Sequence, residues 1–308
     1  MNMLAAIAYA PADGRLKLAR ASLANVPKAN GVAVYEMKSL AEFERQYTKL
    51  AAELGRPAKS PSPGEVEFLA SVEKRRRDYK GAIALADVLF LTAFVSILSP
   101  RRVLEIGTLT GFSAGVIAAA LARRGRNGGA FVVDTIDIRA DCGVDTKRPT
   151  GFEIAEFFPE VASSIRVHAP HDSTLVAELL GRNELELAFV DADHRHPFAL
   201  LDLLRLAPYL QPGGWILLHD IQLGTLTSEA LAAGRQTPFE PVYGAEWLFD
   251  KWPFRKISGG NIGAAQVPMN TAMLVPFAFR MLSIELELPP RQQGAARRAV
   301  YRAIAALC

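Results

Sequence analysis

Five short apolar runs in this chain each lead into residues able to do chemistry. Val103–Ile106 holds Glu105 and opens the segment Glu105-Ile106-Gly107-Thr108-Leu109-Thr110-Gly111-Phe112-Ser113. Phe131–Ile138 carries Asp137 near its end, and Ile165–His168 leads to His171-Asp172-Ser173. Leu185–Val190 leads to Asp191-Ala192-Asp193-His194, and Trp215–Leu218 to His219-Asp220. An ionised carboxylate offers only acceptor oxygens, so it suits hydroxyl pairs, ammonium groups or hard cations. Histidine titrates near neutrality and can take a proton from a reacting hydroxyl. Any one of these residues also makes sense as a helix cap or a loop residue. Repeated at the ends of successive buried runs, they read as one site.

The elements that bring them together follow from the pattern. Between the apolar runs lie helical stretches at Phe112–Arg124, Phe152–Ser163, Leu175–Leu180 and Pro197–Leu210. Strands alternating with helices at this spacing predict a parallel sheet covered on both faces. Right-handed crossovers then restrict the topology to a doubly wound α/β sheet. Pro212-Gly213-Gly214 reads as a turn into the fifth strand, and Phe254–Ile257 with Asn261–Val267 as an antiparallel edge hairpin. Residues 1–80 read as an N-terminal helical extension, 81–268 as the central unit and 269–308 as a helical tail. In the extension, Ser39 with Glu42 and Ser62 with Pro63 and Glu65 supply helix starts. Leu40, Phe43, Tyr47, Leu50 and Leu54 share one helical face, as do Val66, Leu69 and Val72.

Doubly wound sheets bind ligands beyond the carboxyl ends of their strands. In the first such loop Gly107 permits a tight turn, and Gly111 lets helix and strand approach closely. A dinucleotide fingerprint needs glycines where Leu109 and Phe112 stand, and a phosphate loop needs a Gly-Lys-Ser/Thr ending that is absent. Glu105 would repel a phosphate and suits a cofactor with an ammonium group. Asp137 is placed to accept both hydroxyls of a ribose; Asp134, the competing acid, sits too early in its strand. Asp172 and Ser173 are placed to reach an adenine edge.

Val103-Leu104-Glu105-Ile106-Gly107-Thr108 with Gly111 and Ser113, Phe189-Val190-Asp191-Ala192-Asp193-His194, and the run from Leu210 to Asp220 resemble class I S-adenosylmethionine-dependent methyltransferases. Within that class the chain is similar to the catechol O-methyltransferase-like enzymes that act on small molecules, over roughly residues 80 to 268. The resemblance implies a Rossmann-like seven-stranded sheet of order 3-2-1-4-5-7-6 with its last strand antiparallel. It implies that Glu105, Gly107, Thr108, Gly111 and Ser113 hold the methionine portion, Asp137 the ribose, and Asp172 with Ser173 the adenine. Asp191 adjoins both cofactor and acceptor. In metal-dependent relatives the ligands correspond to Asp191, His219 and Asp220. A histidine in that set departs from the magnesium pattern and leaves room for manganese or for no metal. Without a metal, His194 or His219 takes the proton from the acceptor, with Asp191 beside them; His196, directly before Pro197, reads as a helix cap.

The acceptor expected on this reading is a hydroxyl of a small molecule. A nitrogen acceptor, an NAD-dependent oxidoreductase and a non-catalytic cofactor-binding module are the rivals. The missing glycines disfavour the second, and the ionisable strand ends disfavour the third. Trp247 and Phe249 are candidate walls of an acceptor pocket, and the polar stretch Arg139–Gly151 a candidate for its entrance. A net charge of +3 demands no nucleic-acid or membrane partner. The clusters Lys74–Arg77 and Arg291, Arg297, Arg298 and Arg302 read as solvated helix faces. Cys142 and Cys308 form no disulfide or zinc framework, and Met1–Pro11 lacks the features of a signal peptide, so a cytoplasmic location is expected. Ala82–Leu98 is apolar but contains Asp87 and runs into a strand, which predicts a helix buried on the sheet. With the sheet faces taken as filled, the apolar stripes of the terminal helices, including Val300, Ile304 and Leu307, are expected to cover the acceptor site and to form a homodimer.

Overall fold

The computed structural model of the chain describes residues 32–75, 83–123, 130–237 and 240–307. Met1–Pro11, Ala82, Arg124, Cys308 and the Arg76–Arg77 end of the first basic run lie outside the described residues. The elements are β1 (Ala33–Val34), α1 (Leu40–Glu53), α2 (Pro63–Arg75), α3 (Leu85–Leu98), β2 (Arg102–Ile106), α4 (Phe112–Ala122) and β3 (Val132–Ile136). A small pair, β4 (Asp141–Cys142) and β5 (Asp145–Pro149), precedes α5 (Phe152–Phe157), β6 (Ile165–His168), α6 (Val176–Leu179) and β7 (Leu185–Val190). Then come α7 (Phe198–Leu206), β8 (Leu210–Leu218), α8 (Leu223–Ala232), α9 (Gly244–Asp250), β9 (Lys256–Ser258), β10 (Gly263–Gln266), α10 (Leu274–Leu282) and α11 (Pro290–Ala305).

The main sheet runs β1-β9-β10-β8-β7-β2-β3-β6. Without β1 this is the expected 3-2-1-4-5-7-6 order, and β10 is antiparallel to β8 and β9 as expected. The sheet has eight strands rather than seven, because Ala33 and Val34 pair in parallel with Ile257 and Ser258. Two residues show no periodicity, so this strand is invisible in a region whose pattern is helical. Other boundaries also shift. β8 begins at Leu210, and Pro212–Gly214 bulge out of it, since Leu185 faces Leu210 while Leu187 faces Trp215. The helix expected over Phe152–Ser163 ends at Phe157, and β6 is a half-exposed edge strand rather than a buried one. Arg139–Gly151 folds as the β4–β5 hairpin instead of an open loop.

The helix starts form as read. Ser39 Oγ accepts from the Glu42 amide at 3.3 Å, and Ser62 and Glu65 exchange hydrogen bonds of 3.3 and 2.7 Å across the first turn of α2. One sheet face is covered by α3 and α4, and Phe43, Tyr47 and Leu50 of α1 with Leu69 and Val72 of α2 belong to the same core. The opposite face holds α7, α9, α10 and α11, with Val300, Ile304 and Leu307 buried among them. The terminal stripes are thus covered within one chain: α1 packs on α3, and α11 on α7. The faces had room for a second helical layer, which removes the physical reason for placing these helices over the acceptor site. Among the described residues no helix is long and apolar enough to cross a membrane.

Candidate active site

Register creates the site. Ile136, Ile106, Val190 and Leu218 lie side by side across β3, β2, β7 and β8. The next residue of each strand, Asp137, Gly107, Asp191 and His219, therefore leaves the sheet in one row at its carboxyl edge. Gly107 has φ +101, and a Cβ there would lie 1.9 Å from the Asp191 carbonyl oxygen. Only glycine lets the loop after β2 pass so close to the end of β7. Gly111 has φ +84, and a Cβ there would meet Ile154 and Gly151. Its role differs from the expected helix–strand approach: it admits the segment returning from the β4–β5 hairpin, whose Gly151 amide donates to the Leu109 carbonyl at 2.9 Å.

Asp137 ties this loop down. Its Oδ2 accepts from the Thr108 and Leu109 amides at 3.1 and 2.9 Å, and its Oδ1 from the Arg139 amide at 3.0 Å. Leu109 sits at φ 47, a left-handed conformation that these bonds help to hold. Beside Asp137, Ile138 presents an apolar side chain with 72% exposure. Asp134 is accounted for structurally: it is buried and lies 2.9 Å from His168 Nε2.

Glu105 is fully buried beneath the loop and accepts from Ser113 Oγ and Thr135 Oγ1, both at 2.5 Å. Thr135 Oγ1 also lies 2.6 Å from Thr108 Oγ1. Burial pushes the Glu105 carboxyl up to about 8; the two hydroxyl bonds oppose the rise, and Asp191 and Asp137 add to it. The folded chain therefore keeps this proton where the unfolded chain has lost it. Stability should fall as pH rises from about 4.5 to about 8, with a slope near 1.4 kcal/mol per pH unit for one full proton. Glu105→Gln, which stays neutral, is expected to flatten that slope in denaturant titrations run across the window. Parallel pH profiles for variant and wild type would contradict this assignment.

Asp172 and Ser173 do not offer free side chains. Asp172 Oδ1 caps the following turn by accepting from the Thr174 amide at 2.9 Å. Ser173 is buried, donates to Asp202 Oδ1 at 2.5 Å and accepts from Arg205 Nη1 at 2.7 Å.

The residues after β7 and β8 do converge. Asp191 Oδ1 lies 2.9 Å from His219 Nδ1 and 3.5 Å from His194 Nε2. His194 Nε2 is 3.1 Å from Asp220 Oδ2, and Asp220, at φ 59, also accepts from Asn261 Nδ2 at 2.6 Å. One donor atom from each of Asp191, His194, His219 and Asp220 fits within a mutual separation of 4.8 Å. Burial works against charge on Asp191, yet His219 and His194 hold its carboxyl below the usual range. Burial likewise opposes charge on His219, but Asp191, Asp87 and Asp220 together hold its pKa well above the ordinary histidine value.

Two residues of this arrangement were not foreseen as site residues. Asp87 reaches from α3 to His219 Nε2 at 3.3 Å; its signal was a lone acid in an apolar helix. Glu287, in the tail, accepts from the His196 and Tyr243 amides at 2.6 and 2.7 Å and so ties the His194 loop to the start of α9. Nothing in the sequence pairs it with them. His196 is buried rather than capping α7, and burial pushes its pKa down to about 4. Phe249 is a core residue against Gly263 and Lys256. Trp247 is half-buried and stacks on Tyr243, with ring centroids 5.3 Å apart.

Residues 104–221, which contain the loop, the row of acids and both histidines of the cluster, match the family model of a methyltransferase domain. Residues 104–221 thus carry the features of a methyltransferase domain, set in a sheet of the strand order expected of the class I type. No curated protein matches the chain in sequence. Among solved structures it is similar to the O-methyltransferase TomG from Streptomyces achromogenes, involved in tomaymycin synthesis and crystallised with S-adenosylmethionine. Identity there is 18% over 66% of this chain and 82% of that one, with a TM-score of 0.37. It is also similar to an O-methyltransferase from Bacillus cereus in complex with S-adenosylhomocysteine, at 20% identity over 70% of this chain and 87% of that one, TM-score 0.39.

Proposed function

We propose that this chain transfers a methyl group from S-adenosylmethionine to a hydroxyl of a small molecule. The observation that carries the proposal is the row of Gly107, Asp137 and Asp191 at the carboxyl edge of the sheet, continued by the His194–Asp220 pair. The bound cofactor supplies an electrophilic methyl on a sulfonium; the remaining chemistry belongs to the chain. Asp137 retains acceptor capacity on both oxygens for ribose hydroxyls, and exposed Ile138 adjoins it as an apolar surface for a base. Gly107, Thr108 and Gly111 shape the loop against which the methionine portion lies, and Glu105 with Ser113 fixes that loop from below. The Asp172 side chain is committed to its own turn and that of Ser173 to α7, so their share in adenine binding falls to the backbone. We propose 81–268 as the unit that carries this site, with 1–80 as an N-terminal extension and 269–308 as a tail, whose described helices α1, α2, α10 and α11 belong to the two cores.

Removal of the acceptor proton is assigned to His194. Asp220 at 3.1 Å and Asp191 at 3.5 Å both lie against its Nε2 and stabilise the charge that the ring gains. His219 has a carboxylate at each ring nitrogen and so serves as a bridge rather than as the base. A divalent cation fits Asp191, Asp220 and His194, which offer two carboxylates and one imidazole within a few ångströms; His219 in this orientation has no lone pair to give. Magnesium or manganese held there would stabilise the acceptor as an alkoxide or phenolate.

The test is formation of S-adenosylhomocysteine from S-adenosylmethionine across a panel of phenols, sugars and amines. Turnover of hydroxyl acceptors is expected, and turnover confined to amines would move the assignment to nitrogen. Repeating the assay in EDTA decides the metal. If a cation carries the proton-removal step, chelation abolishes turnover and magnesium or manganese restores it; full activity in chelator leaves His194 as the base. A cytoplasmic location and a homodimer also belong to this reading. The terminal stripes no longer call for a partner, so the dimer rests on light scattering, where the mass of a single chain would refute it.

A further inference from the structure

We propose that Asp87 is a positioning residue of this site: with Asp191 it holds the His219 ring between two carboxylates, and so fixes the Asp191 oxygen that faces His194. Its meaning for catalysis rests on the methyltransferase reading above, but the contact itself does not.

Asp87 is the only charged residue of α3, in a stretch where every residue from Asp87 to Ser96 is buried. A carboxylate in such surroundings is costly unless its oxygens are bonded. Helix capping gives a partial account, since the Ala84 amide donates to Asp87 Oδ2 at 3.1 Å. The same oxygen lies 3.3 Å from His219 Nε2, far away in sequence on the last residue of the sheet edge. The other ring nitrogen, Nδ1, is 2.9 Å from Asp191 Oδ1, and that oxygen is 3.5 Å from His194 Nε2. Hydrogen bonds therefore run from α3 through His219 to Asp191, and an ion-pair contact of 3.5 Å carries the chain on to the proposed base.

The carboxylate torsion of an aspartate is broad when nothing restrains it. Asp191 is restrained by an imidazole N–H, and the imidazole is restrained in turn by Asp87 and by edge contact with Phe189, whose ring centroid is 6.3 Å away. Groups that must be held to within a fraction of an ångström gain from such outer support. Without Asp87 the His219 ring keeps one hydrogen bond and becomes free to tilt, and Asp191 tilts with it.

The test needs no acceptor. Proton and nitrogen NMR of the full-length protein should show two protected ring N–H signals that disappear together in His219→Gln. Asp87→Asn keeps an acceptor oxygen, so both signals should persist, with the Nε2–H signal shifted. In Asp87→Leu the Nε2–H signal should be lost to solvent exchange while Nδ1–H remains. If Asp87 only caps α3, Asp87→Leu lowers the melting temperature and leaves both signals in place, which overturns the proposal. Should that variant fail to fold, the wild-type spectrum still decides, because a single protected N–H on His219 also overturns it. S-adenosylhomocysteine added to the same samples keeps the two readings apart. Its failure to stabilise the wild type would sink the methyltransferase assignment without altering the NMR result.

Discussion

Gly107→Ala is expected to abolish S-adenosylhomocysteine binding and to destabilise the fold by more than about 4 kcal/mol, the range reserved for gross steric or backbone conflicts. The new Cβ would stand 1.9 Å from the Asp191 carbonyl oxygen, closer than any contact a real Cβ makes, and φ at this position is +101. Both obstacles are backbone features, so no side-chain rotation relieves them. The loop must move away from β7, carrying Thr108 and Leu109 off the Asp137 carboxylate that holds them. Denaturant unfolding and calorimetric titration check the two parts separately. A variant with wild-type stability and affinity would show that the loop does not pass where it is placed here.

Asp191→Ala is expected to have the largest effect on turnover. Its carboxylate faces both His219 and His194, and its removal leaves His219 bonded only on the Asp87 side. Breaking a buried charged pair from one end typically costs about 3–5 kcal/mol, so a marked fall in stability should accompany the loss. Asp191→Asn separates the two consequences. It keeps the shape and one acceptor oxygen, so most of the stability should return. Turnover should stay depressed by roughly 10²–10⁴-fold, the usual span of a lost acid–base contribution. The check is kcat for whichever hydroxyl acceptor is turned over, set beside unfolding curves of both variants. An asparagine variant with near-normal kcat would remove Asp191 from the chemistry.

The parts of the molecule that the sequence displays are those whose physics is local. Buried parallel strands announce themselves as apolar runs, and the residues just beyond them are placed by register, so Glu105, Asp137, Asp191, His194, His219 and Asp220 could be gathered before any coordinates. Helix starts at Ser39 and Ser62 were legible for the same reason. Asp87 and Glu287 were not, because each acts on a partner far along the chain, through a contact that only the fold creates. β1 was hidden by its two-residue length. The terminal helices were misplaced by an assumption about space: their stripes were seen, but the room for a second layer over α3 and α7 depends on how the sheet is covered. Asp172 and Ser173 show the opposite failure, residues correctly placed after a strand whose side chains satisfy their own turn and α7 instead of a ligand.

The most direct measurement is calorimetric titration of the purified chain with S-adenosylhomocysteine and, separately, with NAD, for wild type and Asp137→Ala. The account predicts saturable binding of S-adenosylhomocysteine and none of NAD. Asp137→Ala should weaken binding by about 1–3 kcal/mol through lost hydrogen bonds to a charged group, and by more if the loop also loosens. Binding of NAD without S-adenosylhomocysteine, or an Asp137→Ala variant that binds like wild type, would contradict it.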